Sequence, residues 1–414
     1  MSLGGEHLTW EGTIDLRSPR RIPDAFAASL GGAEVQLNDI LIVKDGATTG
    51  KTAFVSSLPE RAFVNEHVFV VRPNEDALPK YLFYWLWSHQ GFKQIMLDFR
   101  GTAQGGIGRT FVDKVSVPWV PVESQQKIVA SIDAMFAEIS DGEEDLRRAV
   151  QELATYRKAL LKAAVTGELT SDWRTNSAEL VRRGAETWPA DLGKPGRVPE
   201  PSPAQESAKW SLPASWSWSQ VGHAAFVTKL AGFEYTKHVK YAENGDLPVL
   251  KAENAGPDGF RETAYSRVHS DTVRMLTRSR LRGGEVLVVF VGAGTGNVAA
   301  VPHNEEFFLG PNIGMMRPAP WLNPRYLELF LRSPLGRALL LASMKAVAQP
   351  SLSMTTIRQT PLALPSRSEQ DVIVARVDAA MAAADELPLQ AQASKARALR
   401  QTILSAAFRG ELAQ

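Results

Sequence analysis

The chain repeats itself, and that duplication limits what it can fold into more than any single motif does. The stretch Ser124-Gln-Gln-Lys-Ile-Val-Ala-Ser-Ile-Asp133 returns as Ser368-Glu-Gln-Asp-Val-Ile-Val-Ala-Arg-Val-Asp378, and Thr166-Gly-Glu-Leu169 returns as Arg409-Gly-Glu-Leu412. Upstream, Pro79-Lys-Tyr-Leu82 pairs with Pro324-Arg-Tyr-Leu327, Ala103-Gln104 with Ala348-Gln349, and Gly46-Ala-Thr-Thr-Gly50 with Gly292-Ala-Gly-Thr-Gly296. The copies lie roughly 245 residues apart, far beyond the period of about 20–50 residues that marks a solenoid. The 414 residues are therefore two copies of a domain-plus-helix module, an arrangement suited to a two-fold or bipartite target.

Two kinds of sequence alternate along the chain. Residues 1–121 and 207–366 are rich in glycine, aromatic and β-branched residues. Short apolar runs there, such as Ile40-Leu-Ile-Val43, Phe63-Val64, Val68-Phe-Val-Val71 and Val286-Leu-Val-Val-Phe-Val291, are bounded by turn formers and predict strands. Each block also holds a helix opened by proline, from Pro79 to about Leu97 and from Pro324 to about Leu341, where the missing N–H costs nothing.

Residues 122–170 and 367–414 instead carry apolar residues at helical spacing. Ile128, Ile132, Met135 and Ile139 line a short helix. A second, longer one, opened by Glu143-Glu144-Asp145, is lined by Leu146, Val150, Leu153, Leu160 and Ala164, with Arg157 in one apolar slot. Leu389, Ala396, Leu399 and Ile403 repeat that stripe in the second copy. Alternating steps of three and four make a coiled-coil seam. Neither helix buries its stripe alone. The expected fold class is α+β: two strand-rich domains separated by an antiparallel pair of long coiled-coil helices.

The segments are then a first strand-rich domain (1–121), a helical spacer (122–170), a proline-rich linker (171–206), a second strand-rich domain (207–366) and a second helical spacer (367–414). The linker admits a short helix near Glu179-Leu-Val-Arg-Arg183. The second domain opens with Leu212-Pro-Ala-Ser-Trp-Ser-Trp218, which has no counterpart in the first. By the repeat offset, the first copy is expected to lack roughly 40–50 residues at its start.

Composition removes several classes of function. With no cysteine, disulfides, thiolate zinc sites and cysteine nucleophiles are excluded. No run of about 18 apolar residues predicts a membrane helix, and the first residues do not form a signal peptide, a pattern that fits the cytoplasm. Net charge is +1 but uneven: residues 207–367 sum to roughly +7 and residues 1–121 to about −1. The second domain is the better electrostatic candidate for a phosphate backbone.

Two glycine motifs imitate catalytic ones. Gly46-Ala-Thr-Thr-Gly50-Lys51-Thr52 resembles a phosphate-binding loop, but Asp45 stands where glycine is needed, a strand-like Ala53-Phe-Val55 follows, and Asn297 replaces Lys51 in the other copy. A glycine-rich turn is predicted. Val289 to Gly296 with Asn323-Pro-Arg-Tyr326 imitates the way amino-methyltransferases hold S-adenosylmethionine and a flipped adenine. Arg325 breaks that pattern, and Leu78 replaces Asn323 in the first copy, so the shared element is a proline-opened helix. The seven histidines form no His-x-x-x-His pair and no carboxylates cluster with them, so neither a catalytic nor a metal-binding residue is predicted.

Cationic and polar clusters remain. Lys237, Lys240, Arg267, Arg274, Arg278, Arg280 and Arg282 gather in the second domain, and Arg17, Arg20 and Arg21 in the first. The recurring polar loops add Gln104 and Arg109 in the first domain, and Gln349, Ser351 and Ser353 in the second. Arginine bonds bidentately to guanine edges or phosphates, and glutamine reads adenine, so these residues are predicted to contact DNA.

At this point the chain resembles the specificity subunit of a type I restriction-modification system. The residues that carry the resemblance are Gln125-Gln126 to Asp133 at the helix entry, Leu160-Leu-Lys-Ala-Ala-Val-Thr-Gly-Glu-Leu169, and their echoes at Glu369-Gln370 and Ile403-Leu-Ser-Ala-Ala-Phe-Arg-Gly-Glu-Leu412, with the domain opening at 212–218. The resemblance implies two target-recognition domains, each reading one half of a split double-stranded DNA site, with the helices as a ruler. It implies no catalysis and no cofactor or metal on this chain. Its implied partners are two adenine-N6 methyltransferase subunits using S-adenosylmethionine and a restriction subunit driven by ATP with Mg. The first domain departs from the family at its start. Two alternatives are a DNA adenine methyltransferase built on residues 289–326 and a structural adaptor without a DNA role.

Overall fold

The structure, a computed structural model, describes all residues except 19, 30–32, 102–104, 177–187, 194–195, 343, 345–350, 387–388 and 412–414. The chain divides into two compact units, Met1–Val150 with Pro388–Gln414, and Gln151–Leu387. The helix predicted near residues 179–183 lies outside the described residues, as do Gln104 and Gln349.

The first unit is built on a three-stranded antiparallel sheet with Ile40–Val43 between Thr52–Phe54 and Val68–Val71. Side chains alternate across a strand, and both faces here are apolar. Ile40 and Ile42 join a core with Tyr81, Phe83 and Ile132, whereas Leu41 and Val43 join another with Leu3, Leu8 and Val64. In the second unit the equivalent strands, Val298–Ala300, Val286–Val289 and Ile313–Pro318, gain a fourth, Ala225–Lys229. A second four-stranded sheet runs Ser266–Val268, Leu247–Leu250, Phe307–Leu309, Arg280–Leu281, and Ser217–Gln220 pairs with Pro361–Leu364.

The proline-opened segments are each two helices rather than one: Pro79–Trp87 and His89–Ile95, then Pro324–Arg332 and Pro334–Leu341. A serine makes the corner in both copies. Ser88 Oγ accepts from Gly91 N at 3.1 Å and Ser333 Oγ from Gly336 N at 3.0 Å, which caps the second helix. A Cβ on Gly91 would lie 2.0 Å from Trp85 O, and one on Gly336 1.9 Å from Phe330 O, so the corner admits only glycine.

The duplication extends to single hydrogen bonds. Gln125 Oε1 accepts from Leu78 N at 2.8 Å, and Gln370 Oε1 from Asn323 N at 2.7 Å; both glutamines are fully buried. Lys80 pairs with Asp133 at 2.7 Å where Arg325 pairs with Asp378 at 2.8 Å. Tyr81 donates to Pro118 O at 2.5 Å, and Tyr326 to Ala363 O at 2.7 Å. The glutamine bonds and ion pairs dock each strand-rich domain onto the start of its own spacer, while each tyrosine bonds within its domain.

The first spacer differs from the expected short-then-long pair. Val122–Thr166 is one unbroken helix of 45 residues, about 67 Å at 1.5 Å per residue. Gly142 is tolerated in its middle, and Glu144 and Asp145, predicted to open a helix, pair with Arg147 and Arg148 one turn on. The second spacer is two helices, Arg367–Asp385 and Leu389–Phe408, with Pro388 in the sequence between them.

Each unit combines the start of one spacer with the end of the other. In the first, Leu404 and Ala407 pack with Ile128, Val129 and Ile132, while Arg400 pairs with Glu143 at 2.7 Å, so the helices run antiparallel. Leu146 lies beside Ala396 and Leu399 at the rim of this pair, and Ile403 packs against its core. In the second unit Leu160, Leu161, Ala164 and Val165 pack with Ile373 and Val377, and Arg376 pairs with Asp172 at 2.6 Å. Arg157 fills its apolar slot by pairing with Asp385. Leu153 is half-buried, Val150 and Leu399 are exposed, and the side chain of Leu389 lies outside the described residues.

Candidate nucleic-acid interface

In both units the fold brings together two loops that are far apart in sequence. Residues 46–50 form a turn in which Thr49 Oγ1 donates to Gly46 O at 2.7 Å, and residues 292–296 repeat it with Thr295 Oγ1 to Gly292 O at 2.6 Å. Gly46, Gly50, Gly292 and Gly296 have φ of 91°, 82°, 103° and 84°, the left-handed region that glycine enters at low cost. Beside the first turn lies Gly106, bridged to Asp45; beside the second lies exposed Ser351, bridged to Val291. Ser353 is the N-cap of Met354–Gln359, its Oγ accepting from Thr356 N at 2.9 Å, so its hydroxyl is used within the fold.

The two catalytic look-alikes resolve into structure. Lys51, the would-be phosphate ligand, is buried, and its ammonium donates to Leu8 O at 2.8 Å and Gly5 O at 3.3 Å. Asn323 caps its helix, accepting from Arg325 N at 2.8 Å and donating to Asp371 at 2.6 Å. Tyr326 is fully buried and has no face to stack on a base. These residues do not fit S-adenosylmethionine or a flipped adenine. Among the described residues no three His, Asp or Glu side chains gather as a metal site.

The arginine cluster of the second unit splits by role. Arg267 donates to Gly245 O at 2.7 Å and Asp246 O at 3.1 Å, and Arg280 to Ser270 O at 2.9 Å; both clasp backbone. Arg278 pairs with Glu234 at 2.6 Å. Burial pushes the Glu234 carboxyl up, but the Ala231 amide and Arg278 outweigh it and hold it below the usual range. Arg282 is 79% exposed and only 3.6 Å from Glu306. Lys237, Lys240 and Arg274 are exposed with no carboxylate partner among the described residues.

These free cations share a surface. The helix Gly232–His238 and the segment around Val273 and Leu276 cover one small core with Tyr235 and Val239. Exposed Phe233, Tyr241 and Met275 stand among the cations, and Lys251 lies 4.9 Å from the Tyr241 ring centre. Adjacent to Arg278 is a cleft of about 740 Å³ lined by Arg280, Arg282, Arg317, Arg367 and His303, with Glu285 as its carboxylate. A surface that mixes cations with exposed rings suits phosphates and base faces. Sequence reading missed Arg317, Arg367 and His303, which lie far apart in the chain, and the exposed rings, which look like core residues on paper.

The first unit is less cationic. Arg17 pairs bidentately with Asp15, Arg20 with Glu6 at 3.0 Å and Arg21 with Glu60 at 3.0 Å. The Arg17 hydrogen bonds hold the Asp15 carboxyl down at about 2. Arg109 is exposed and has no carboxylate partner among the described residues.

Fold and surface together define a duplicated recognition protein. The family model of the type I restriction modification DNA specificity domain matches residues 26–150. The type I restriction enzyme EcoBI specificity subunit of Escherichia coli is 26% identical over 362 residues, 85% of this chain and 70% of that protein. A chain from a structure of type I restriction-modification complex assembly and conformational transition superimposes with a TM-score of 0.64 at 20% identity, covering 99% of this chain and 91% of its own. The HsdS subunit of Thermoanaerobacter tengcongensis gives 0.55 at 20% identity, covering 99% and 90%. Residues 26–150 thus match a type I DNA specificity domain, and most of the chain is similar to type I restriction-modification specificity subunits. No described helix is long and apolar enough to cross a membrane.

Proposed function

We propose that this subunit reads a bipartite double-stranded DNA site, one half with each strand-rich domain, and that its spacers fix the separation of the halves. The domains are residues 1–121 and 207–366, the spacers 122–170 and 367–414, with the linker 171–206 between. The observation that carries this reading is the duplicated junction: the same buried glutamine and ion pair hold each domain to its spacer. A reader of one continuous site has no use for two identical mounts.

Lys237, Lys240, Arg274, Arg278 and Arg282, with Arg17, Arg20, Arg21 and Arg109 opposite the first half-site, would position the domains on phosphates. Arg267 and Arg280 would hold the reading surface in shape. Ser351, Gln349 and Gln104 lie at or next to the paired loops in sequence, where base edges would be read, while Ser353 would hold the helix behind its loop. The chain supplies no chemistry itself. Two adenine-N6 methyltransferase subunits would carry S-adenosylmethionine, and a restriction subunit would carry ATP and Mg, all in the cytoplasm. Selecting bound sequences from random duplexes with a methyltransferase partner tests this: a split consensus is expected, and a continuous consensus contradicts it.

A further inference from the structure

Two exposed rings stand on the cationic surface of the second unit, and they are held differently. Tyr241 meets the Tyr235 ring edge-on at 6.4 Å, and the Lys251 ammonium lies 4.9 Å from its centre. Phe233 is 73% exposed and, among the described residues, meets neither a ring nor a cation. Its helix, Gly232–His238, has a core-facing side: Tyr235, with Val239 just past the helix end, packs there with Val273, Leu276 and Phe308. Phe233 lies instead on the solvent side with Lys237, four residues on. The backbone that carries it is fixed, since the Glu234 carboxylate accepts from Ala231 N at 3.0 Å and from Arg278 at 2.6 Å.

We propose that Phe233 is an apolar wedge: it enters a base step of the half-site under this domain and parts the two stacked pairs. The inference rests on the DNA reading above and names what the ring does within it. Lys237, Lys240 and Arg274 have no carboxylate partner among the described residues, so what covers the ring carries negative charge on its flanks. A protein partner is the poorer match, because the core of a protein interface is depleted in lysine. A duplex offers apolar base faces between two rows of phosphates, and phenylalanine inserted at a step unstacks and kinks it. Side chains four apart on a helix lie about 5–6 Å from each other. A ring inside the step therefore sets the Lys237 ammonium beside the phosphates that bound it.

The test uses the full chain with a methyltransferase partner and the duplex recovered by selection, with dyes at its two ends that report bending by energy transfer. At saturating protein the duplex is expected to bend. Phe233→Ala is expected to abolish the bend and weaken binding about tenfold, with the salt dependence of affinity and the melting temperature unchanged. Phe233→Leu, which keeps an apolar wedge, is expected to retain the bend. Lys237→Ala is expected to keep the bend and lower the salt slope by about one. A bend that survives Phe233→Ala, or saturable binding with no bend, would overturn the wedge and leave the DNA reading standing. No duplex binding at all would overturn both.

Discussion

The mounts that join each domain to its spacer and the surfaces that face outward from those domains have diverged to very different degrees. At the mounts, Gln125 and Gln370 make equivalent bonds within 0.1 Å of each other in length, and lysine exchanges for arginine opposite a retained aspartate. On the outer surfaces the charges differ: among the described residues Lys237, Lys240 and Arg274 of the second unit have no carboxylate partner, whereas Arg17, Arg20 and Arg21 of the first are paired. The part that mounts the heads is held constant. The part proposed to read two different half-sites is free to change.

The largest expected effect probes whether the two units hold together separately. Ile132 and Ile373 are each fully buried in their own core. Replacing either with alanine should cost about 2–5 kcal/mol, and calorimetry should show only the corresponding unit melting earlier. Equal shifts of the whole transition by both variants would mean one cooperative body.

Next come the mounts. Gln125→Ala strands Leu78 N and Val120 O, and Gln370→Ala strands Asn323 N, Trp321 O and Pro365 O. A buried group left unsatisfied costs about 1–3 kcal/mol, so the two variants should lose similar stability in denaturant melts. A loss in one only would break the equivalence of the mounts.

On the reading surface, replacing Lys237, Lys240 and Arg274 with alanine should lower the salt dependence of DNA affinity by about one for each phosphate contact removed. Arg267→Ala should leave that slope unchanged and lower the melting temperature, because its guanidinium clasps Gly245 O and Asp246 O. The reverse pattern would exchange the two roles.

The smallest effect is in acid. Hydrogen bonds from Arg376 hold Asp172 at about 2, and Lys114 does the same for Asp98, against an ordinary value of 3.8. A depressed carboxylate stabilises the fold above its unfolded value, and that contribution disappears as pH falls through the folded one. Melting temperature should therefore fall between pH 4 and about 2. Asp172→Asn should flatten only the part due to the second unit.

Much of this architecture was legible in the residues. Recurrent Gln, Pro-Lys/Arg-Tyr and Gly-Glu-Leu sequences gave the duplication, and Ile40-Leu-Ile-Val43 and Val68-Phe-Val-Val71 are strands as their apolar runs predicted. Other features were not. Gly142 and the acidic run after it look like a helix boundary, yet the pairs with Arg147 and Arg148 carry the helix through. Periodicity found the stripe through Leu160 and Ala164, but a stripe does not name its partner, which is Ile373 and Val377. Five arginines in one segment read alike on paper, whereas Arg267 and Arg280 clasp carbonyl oxygens and Arg274 has no carboxylate partner among the described residues.

The central claim is that two independent heads share one scale. The most direct measurement exchanges residues 207–366 for the matching domain of a relative with different specificity and determines the bound sequence in complex with a methyltransferase. The account predicts that one half of the split site changes while the other half and the spacing stay fixed. A change in both halves, or in the spacing alone, would contradict it.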